Sequence, residues 1–171
     1  GEARVIGIVP HQITNGSLRY PLAAQEIPDL HRDILKVVVC SRYRDKECVI
    51  GLVHGFSLKR GAIASSISHD AHNIIAVGTS DTEIRLAIQE VIRSRGAMVA
   101  VAGEIPTILP LDCAGLMSTL PYPEVVKRLQ ALHTVTERMG SINDPFMYLS
   151  FLALTVIPSL RITDHGLFEV G

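Results

Sequence analysis

The sequence predicts an α/β (α+β) fold: one compact domain over residues 1–171, with a mixed β-sheet of several strands packed against about three helices. Three observations carry this prediction. Hydrophobic residues make up 47% of the 171 positions, which is enough for one substantial core. Apolar, β-branched runs of strand length recur at Ala3–Val9, Ile34–Cys40, Ile74–Val77 and Met98–Ala102, each bounded by turn residues. Two longer stretches instead place apolar residues at helical spacing: Ile84, Ala87, Ile88, Val91 and Ile92, then Val125, Val126, Leu129, Leu132, Val135 and Met139.

In chain order, Ala3–Val9 is the first strand and His11–Thr14 continues extended to a turn at Asn15-Gly16. Residues 18–33, with Pro21 and Pro28, read as a surface connection. Ile34–Cys40 and Glu47–Val53, joined by the charged turn Arg42–Lys46, read as a hairpin. Ala62–Ser66 is a short strand of small residues, against which another element is able to pack closely. Ser80 caps the first helix, Asp81 and Glu83 favour its first turn, and Gly96 stops it. Met98–Ala102 and Ile105–Leu109 form a second hairpin, and the strand, helix and strand around Ile84 form a right-handed crossover unit. Pro121–Pro123 open the second helix and Asp144-Pro145 the third, whose Phe146–Leu154 is apolar nearly all round. Two short strands, Arg161–Thr163 and Leu167–Val170, close the chain around a turn at Asp164-His165-Gly166.

Charge and composition exclude several function classes. A net charge of −1, a pI near 6.7 and scattered Lys and Arg give no footprint for nucleic acid or an anionic membrane. Four Phe, four Tyr and no Trp leave no stacking platform for single strands. The longest apolar runs, such as Phe151–Ile157, are too short to span a bilayer and the first residues carry no signal pattern, so a cytoplasmic protein is expected. Cys40, Cys48 and Cys113 are odd in number and lack metal spacing. Cys40 and Cys113 sit in apolar contexts and are expected to be reduced, buried thiols.

The sequence departs most from a generic domain at Gly55–Gly78, where Ser65, Ser66, Ser68, His69, Asp70, His72 and Asn73 interrupt an apolar run. These side chains supply donors, acceptors and imidazoles that titrate near neutral pH. One reading is a binding or proton-transfer site; the other is a polar turn that satisfies its own backbone. A serine triad is not supported, since strand neighbours point to opposite faces and a triad is defined by spatial roles. Nor is a self-contained zinc site, which takes three or four protein ligands. Asp112 reads as the cap of a turn. Gly115–Ser118 is a second candidate stretch, in which Gly115 permits close backbone approach, with an apolar loop under the core as its plainer reading.

Four blocks in order, GFSLKRGAIASSISHDAHNIIAVG at 55–78, PLDCAGLMSTLP at 110–121, DPFMYLSFLALTVIP at 144–158 and LRITDHGLFEV at 160–170, resemble the C-terminal domain of adenine deaminases. These are members of the amidohydrolase superfamily that convert adenine and water to hypoxanthine and ammonia in purine catabolism. Tyr148 and Thr155 depart from the pattern, where a smaller polar residue and a proline are expected. The resemblance implies that the chain is one piece of a larger hydrolase and is inactive alone. In that parent a binuclear metal centre, manganese or iron, sits in a (β/α)8 barrel whose HxH motif has no counterpart here, so no metal is expected in this chain. The implied partners are that barrel domain of the same polypeptide, adenine, and further copies in a homo-oligomer. Ser65, Ser66, His69, Asp70, His72 and Asn73 are then expected to face the barrel mouth as substrate-binding residues, with His69, Asp70 and His72 as candidates for a catalytic role. A ligand-binding or regulatory module and a purely structural oligomerisation domain are the alternatives.

Overall fold

A computed structural model describes residues 1–21, 27–45 and 47–170. Its strands are β1 (Glu2–Ile8), β2 (Asn15–Pro21), β3 (Ile34–Cys40), β4 (Val49–His54), β5 (Ala62–Ser65), β6 (Ile74–Gly78), β7 (Ala97–Val101), β8 (Thr107–Pro110), β9 (Leu160–Thr163) and β10 (Gly166–Glu169). The helices are α1 (Asp81–Arg93), α2 (Tyr122–Arg138) and α3 (Pro145–Phe151). Eight strands form one mixed sheet in the order β2-β1-β4-β3-β6-β5-β7-β8, and β9 and β10 form a separate hairpin. The pairings in the large sheet are antiparallel except that of β1 with β4.

Period-two alternation sorts the strand residues onto two covered faces. Val38, Ala62, Ala64, Ala76, Val99 and Val101 pack with Ile84, Ala87 and Val91 of α1. The alanines of β5 and β6 let α1 approach closely, as the small-residue strand predicts. On the opposite face Val37, Val39, Ile63, Ile75 and Val77 share a core with Leu132 and Met139 of the α2 region, Leu149 of α3 and Ile162 of β9. Helix α1 begins as its sequence directs: Ser80 Oγ caps it by accepting from Glu83 N at 3.2 Å and donates to the Glu83 carboxylate at 2.8 Å. The crossover of β6, α1 and β7 is present, with β5 inserted between its two strands.

The structure corrects the sequence reading at three places. Asn15-Gly16 is not a turn: it starts β2, which pairs with β1 from Glu2↔Pro21 to Ile8↔Asn15. The first part of the expected surface connection is therefore an edge strand, where Pro21 is tolerated; positions 22–26 of that connection lie outside the described residues. Cys40 and Cys48 are not free thiols but form a disulfide with sulfurs 2.03 Å apart, and Cys113 is exposed. Register explains the pairing, because Val39 faces Val49 and so brings the next residues out opposite each other. Helix α3 is shorter than the apolar Phe146–Leu154 run. It ends at Phe151, and Met147 is 51% exposed. Asp144 stands at its cap without a side-chain capping bond.

Candidate functional site

Strand directions gather the polar stretch and its neighbours at one end of the sheet. Registers Cys40↔Ile74, Ser65↔Ile75, Ser65↔Met98 and Ala97↔Pro110 bring together the end of β3, the β5–β6 loop, the start of β7 and the end of β8. The loop from Ser66 to Asn73 is anchored on both sides. His69 N donates to Ser150 O of α3 at 2.8 Å, and His72 N donates to Ser68 O at 2.6 Å. From the β3–β4 turn, Arg42 Nη1 donates to His72 O at 3.2 Å and Nη2 to Ala114 O at 3.0 Å, while Arg42 N donates to Asn73 Oδ1 at 3.3 Å. Arg42 thus ties the loop to the 111–117 segment, a role that a charged turn in the sequence does not reveal.

The side chains divide into two groups. Ser66 is fully buried; its hydroxyl donates to Gly115 O at 2.6 Å and accepts from Ala97 N at 3.0 Å. Ser65 Oγ accepts from Ile67 N at 2.9 Å, and Asn73 is spent on Arg42. These three hold the loop in place. Asp70 is exposed and His69 and His72 are half-buried. The two imidazoles meet edge to face with centroids 5.5 Å apart, and the His69 ring lies 4.9 Å from that of Phe151.

Two polar atoms of the loop are buried without a hydrogen-bond partner among the described residues, Ser68 Oγ and His72 Nδ1. Burial, together with the charges of His69 and Arg42, pushes the His72 pKa below 6.5, because desolvation penalises the cation. The imidazole is therefore neutral at neutral pH, with one ring nitrogen to donate and one to accept.

Phe151 also lines a cavity of about 290 Å³ with Ile13, Asn15, Asp144, Met147 and Tyr148. The second candidate stretch has a structural use: Gly115 (φ +74°) lies against the guanidinium of Arg42 and the backbone of Gly96, and Asp112 accepts from Thr119 N and Oγ1. Among the described residues, no three His, Cys, Asp or Glu side chains come together as a metal-holding group. His69, Asp70 and His72 alone do not make up the donor set of a binuclear centre. No helix among the described residues is long and apolar enough to cross a membrane.

A mixed eight-stranded sheet flanked by helices, with a polar loop pinned at one end, defines an α/β domain with a candidate recognition loop. Residues 13–171 match the family described as adenine deaminase C-terminal domain, and the chain belongs to that family. It is 61% identical over 171 residues to an adenine deaminase of Methanoculleus marisnigri, covering 100% of this chain and 33% of that protein. It is 60% identical over 169 residues to an adenine deaminase of Methanoregula boonei, covering 99% of this chain and 30% of the relative. An adenine deaminase of Brucella abortus is 45% identical over 176 residues, at 99% and 30% coverage. The chain spans about a third of the length of these curated relatives.

Proposed function

We propose that this domain is part of an adenine deaminase and that its Ser66–Asn73 loop closes one side of the purine pocket. The supporting observation is the pair of unpartnered buried atoms, Ser68 Oγ and His72 Nδ1, on a loop otherwise satisfied by Arg42, Ser150 and Ala97. Buried polar groups are normally paired, and an orphan on a half-exposed loop marks a place where a ligand or a neighbouring domain supplies the missing bond.

In this reading the reacting centre lies in an amidohydrolase barrel outside this chain. A metal centre bound there, manganese or iron, would supply the activated water that replaces the exocyclic amine of adenine, released as ammonia. The loop's own contribution is recognition. A neutral His72 offers Nε2, the ring nitrogen that is not buried in the fold, to a nitrogen of a purine ring, His69 backs it edge-on, and Asp70 accepts from an N–H. Ser65, Ser66 and Asn73 position these groups rather than touch substrate. Discrimination follows from pairing, because a base that leaves such a group unpaired costs about 1–3 kcal/mol.

The test is His69→Ala and His72→Ala in the full-length polypeptide. We expect kcat/KM for adenine to fall by about tenfold or more in each, corresponding to about 1.4 kcal/mol of lost transition-state binding, with circular dichroism unchanged. Wild-type kinetics in both variants would remove the loop from the pocket.

A further inference from the structure

A second cavity, of about 390 Å³, opens beside the candidate loop between the β3–β4 turn and the end of α1. Its described lining includes two arginines, Arg42 and Arg95, and no Asp or Glu. Arg93, two residues before Arg95, is paired with Glu90 at 2.8 Å. The Arg95 side chain, by contrast, has no partner among the described residues. Arg42 spends one donor each on His72 O and Ala114 O, which leaves further N–H groups of its fork free. Ser41 Oγ accepts from Tyr43 N at 3.3 Å and Arg44 N at 3.2 Å, so its own hydroxyl proton remains available to donate. Ile74, Val91 and Ile92 form an apolar wall beside this polar edge.

Two arginines lining one cavity with no acidic residue beside them favour an anion there, and an oxyanion is able to accept from the fork of each. We propose that this cavity binds a phosphate group, either free or carried as a monoester on a small apolar body that rests on Ile74, Val91 and Ile92. Because Arg42 also holds His72 O, an oxyanion there competes for the guanidinium that fixes the candidate loop. Occupancy is thereby transmitted to His72 and Asn73. The proposal concerns residues separate from the purine-facing side chains and stands whether or not the loop closes a purine pocket.

The experiment titrates the 171-residue chain with inorganic phosphate and, separately, phenyl phosphate, at ionic strength held constant with sodium chloride, while backbone amide resonances are followed. Saturable shifts are expected at Ser41, Arg42, Ile92 and Arg95, with a smaller set at His72 and Asn73. Arg95→Gln, on an exposed position that leaves the core intact, is expected to weaken binding by about tenfold or more, as loss of a charged hydrogen bond does. Tighter binding of phenyl phosphate assigns the site to a monoester, and equal affinity assigns it to free phosphate; either supports an oxyanion site. Shifts that chloride alone reproduces, that fail to saturate, or that persist unchanged in Arg95→Gln overturn it.

Discussion

The guanidinium of Arg42 occupies the space that a side chain on Gly115 would need: a Cβ built on Gly115 meets Arg42 Cζ at 2.7 Å. Gly115 also has φ +74°, a left-handed conformation that costs an L-residue with a Cβ roughly 1–2 kcal/mol. Alanine there therefore carries a backbone penalty and displaces the Arg42 side chain, which together with Ser66 Oγ joins the 66–73 loop to the 111–117 segment. Gly115→Ala is expected to destabilise the chain by about 2 kcal/mol or more in urea unfolding. Gly103→Ala is the control. It has φ +112° but open space around it, so it reports backbone strain alone. A Gly115→Ala loss no larger than the roughly 1–2 kcal/mol of backbone strain would show that Arg42 contributes nothing to holding the loops together.

Two serines two residues apart make an internal comparison. Ser66 Oγ is paired twice in a fully buried setting, and alanine leaves Gly115 O and Ala97 N without their partner. Ser68 Oγ is equally buried but unpaired, so its removal sheds a desolvated group. Ser66→Ala is expected to cost about 1–3 kcal/mol, whereas Ser68→Ala is neutral or stabilising by up to about 1 kcal/mol. Denaturant midpoints of the two variants decide; a Ser68→Ala loss as large as that of Ser66→Ala would mean that Ser68 is paired within the fold.

His72 makes stability depend on pH. Its folded pKa is held below 6.5, first by burial and then by the charges of His69 and Arg42, with Asp70 opposing them. Below pH 6.5 the unfolded chain takes up this proton before the folded chain does. The unfolded state then binds more protons, and stability falls with falling pH until the folded pKa is passed. Above pH 6.5 both states are neutral and the contribution is flat. His72→Gln is expected to flatten the decline in Tm between pH 6.5 and 5.5 relative to the parent. Identical pH profiles would assign the decline to other groups.

The sheet and helices were legible in the sequence because both signals are local: β-branched runs at β3, β6 and β7, and an N-cap serine with first-turn acids ahead of a helical stripe at α1. The HDAHN loop was legible because polar residues between two apolar runs have few structural explanations. Other features depend on long-range register. Strand β2 is an edge strand with exposed Leu18, so its sequence has no two-faced apolar pattern to betray it. The Cys40–Cys48 bond follows from β3–β4 pairing rather than from spacing. Arg42 reaches His72 and Ala114 from 30 and 72 residues away, and no short window contains that contact.

Arg161 shows the same limit and carries the sharpest stability prediction. It reads as one residue of a short terminal strand, yet it is fully buried. Nε donates to Ile157 O at 2.7 Å, Nη1 to Phe151 O at 2.8 Å, and Nη2 to Ile13 O at 3.0 Å and Pro158 O at 2.7 Å. With its amide oriented to suit its neighbours, Asn15 Oδ1 also accepts from Nη1 at 2.7 Å. All these acceptors are neutral. Burial pushes the guanidinium pKa down, and the planar fork offsets that cost by satisfying carbonyls from the 13–15 segment, the end of α3 and the turn before β9. Lysine presents a single ammonium and does not span such separated acceptors. Methionine fills the space but leaves Ile157 O and Ile13 O without a partner among the described residues, at about 1–3 kcal/mol each where water does not replace the fork, whereas Phe151 O and Pro158 O keep the amides of Leu154 and Asn15. Arg161→Met is therefore expected to cost on the order of 3 kcal/mol or more, with Arg161→Lys recovering only part of it. Equilibrium urea unfolding measures both, and an Arg161→Met chain as stable as the parent would show that these carbonyls find other partners once the fork is gone.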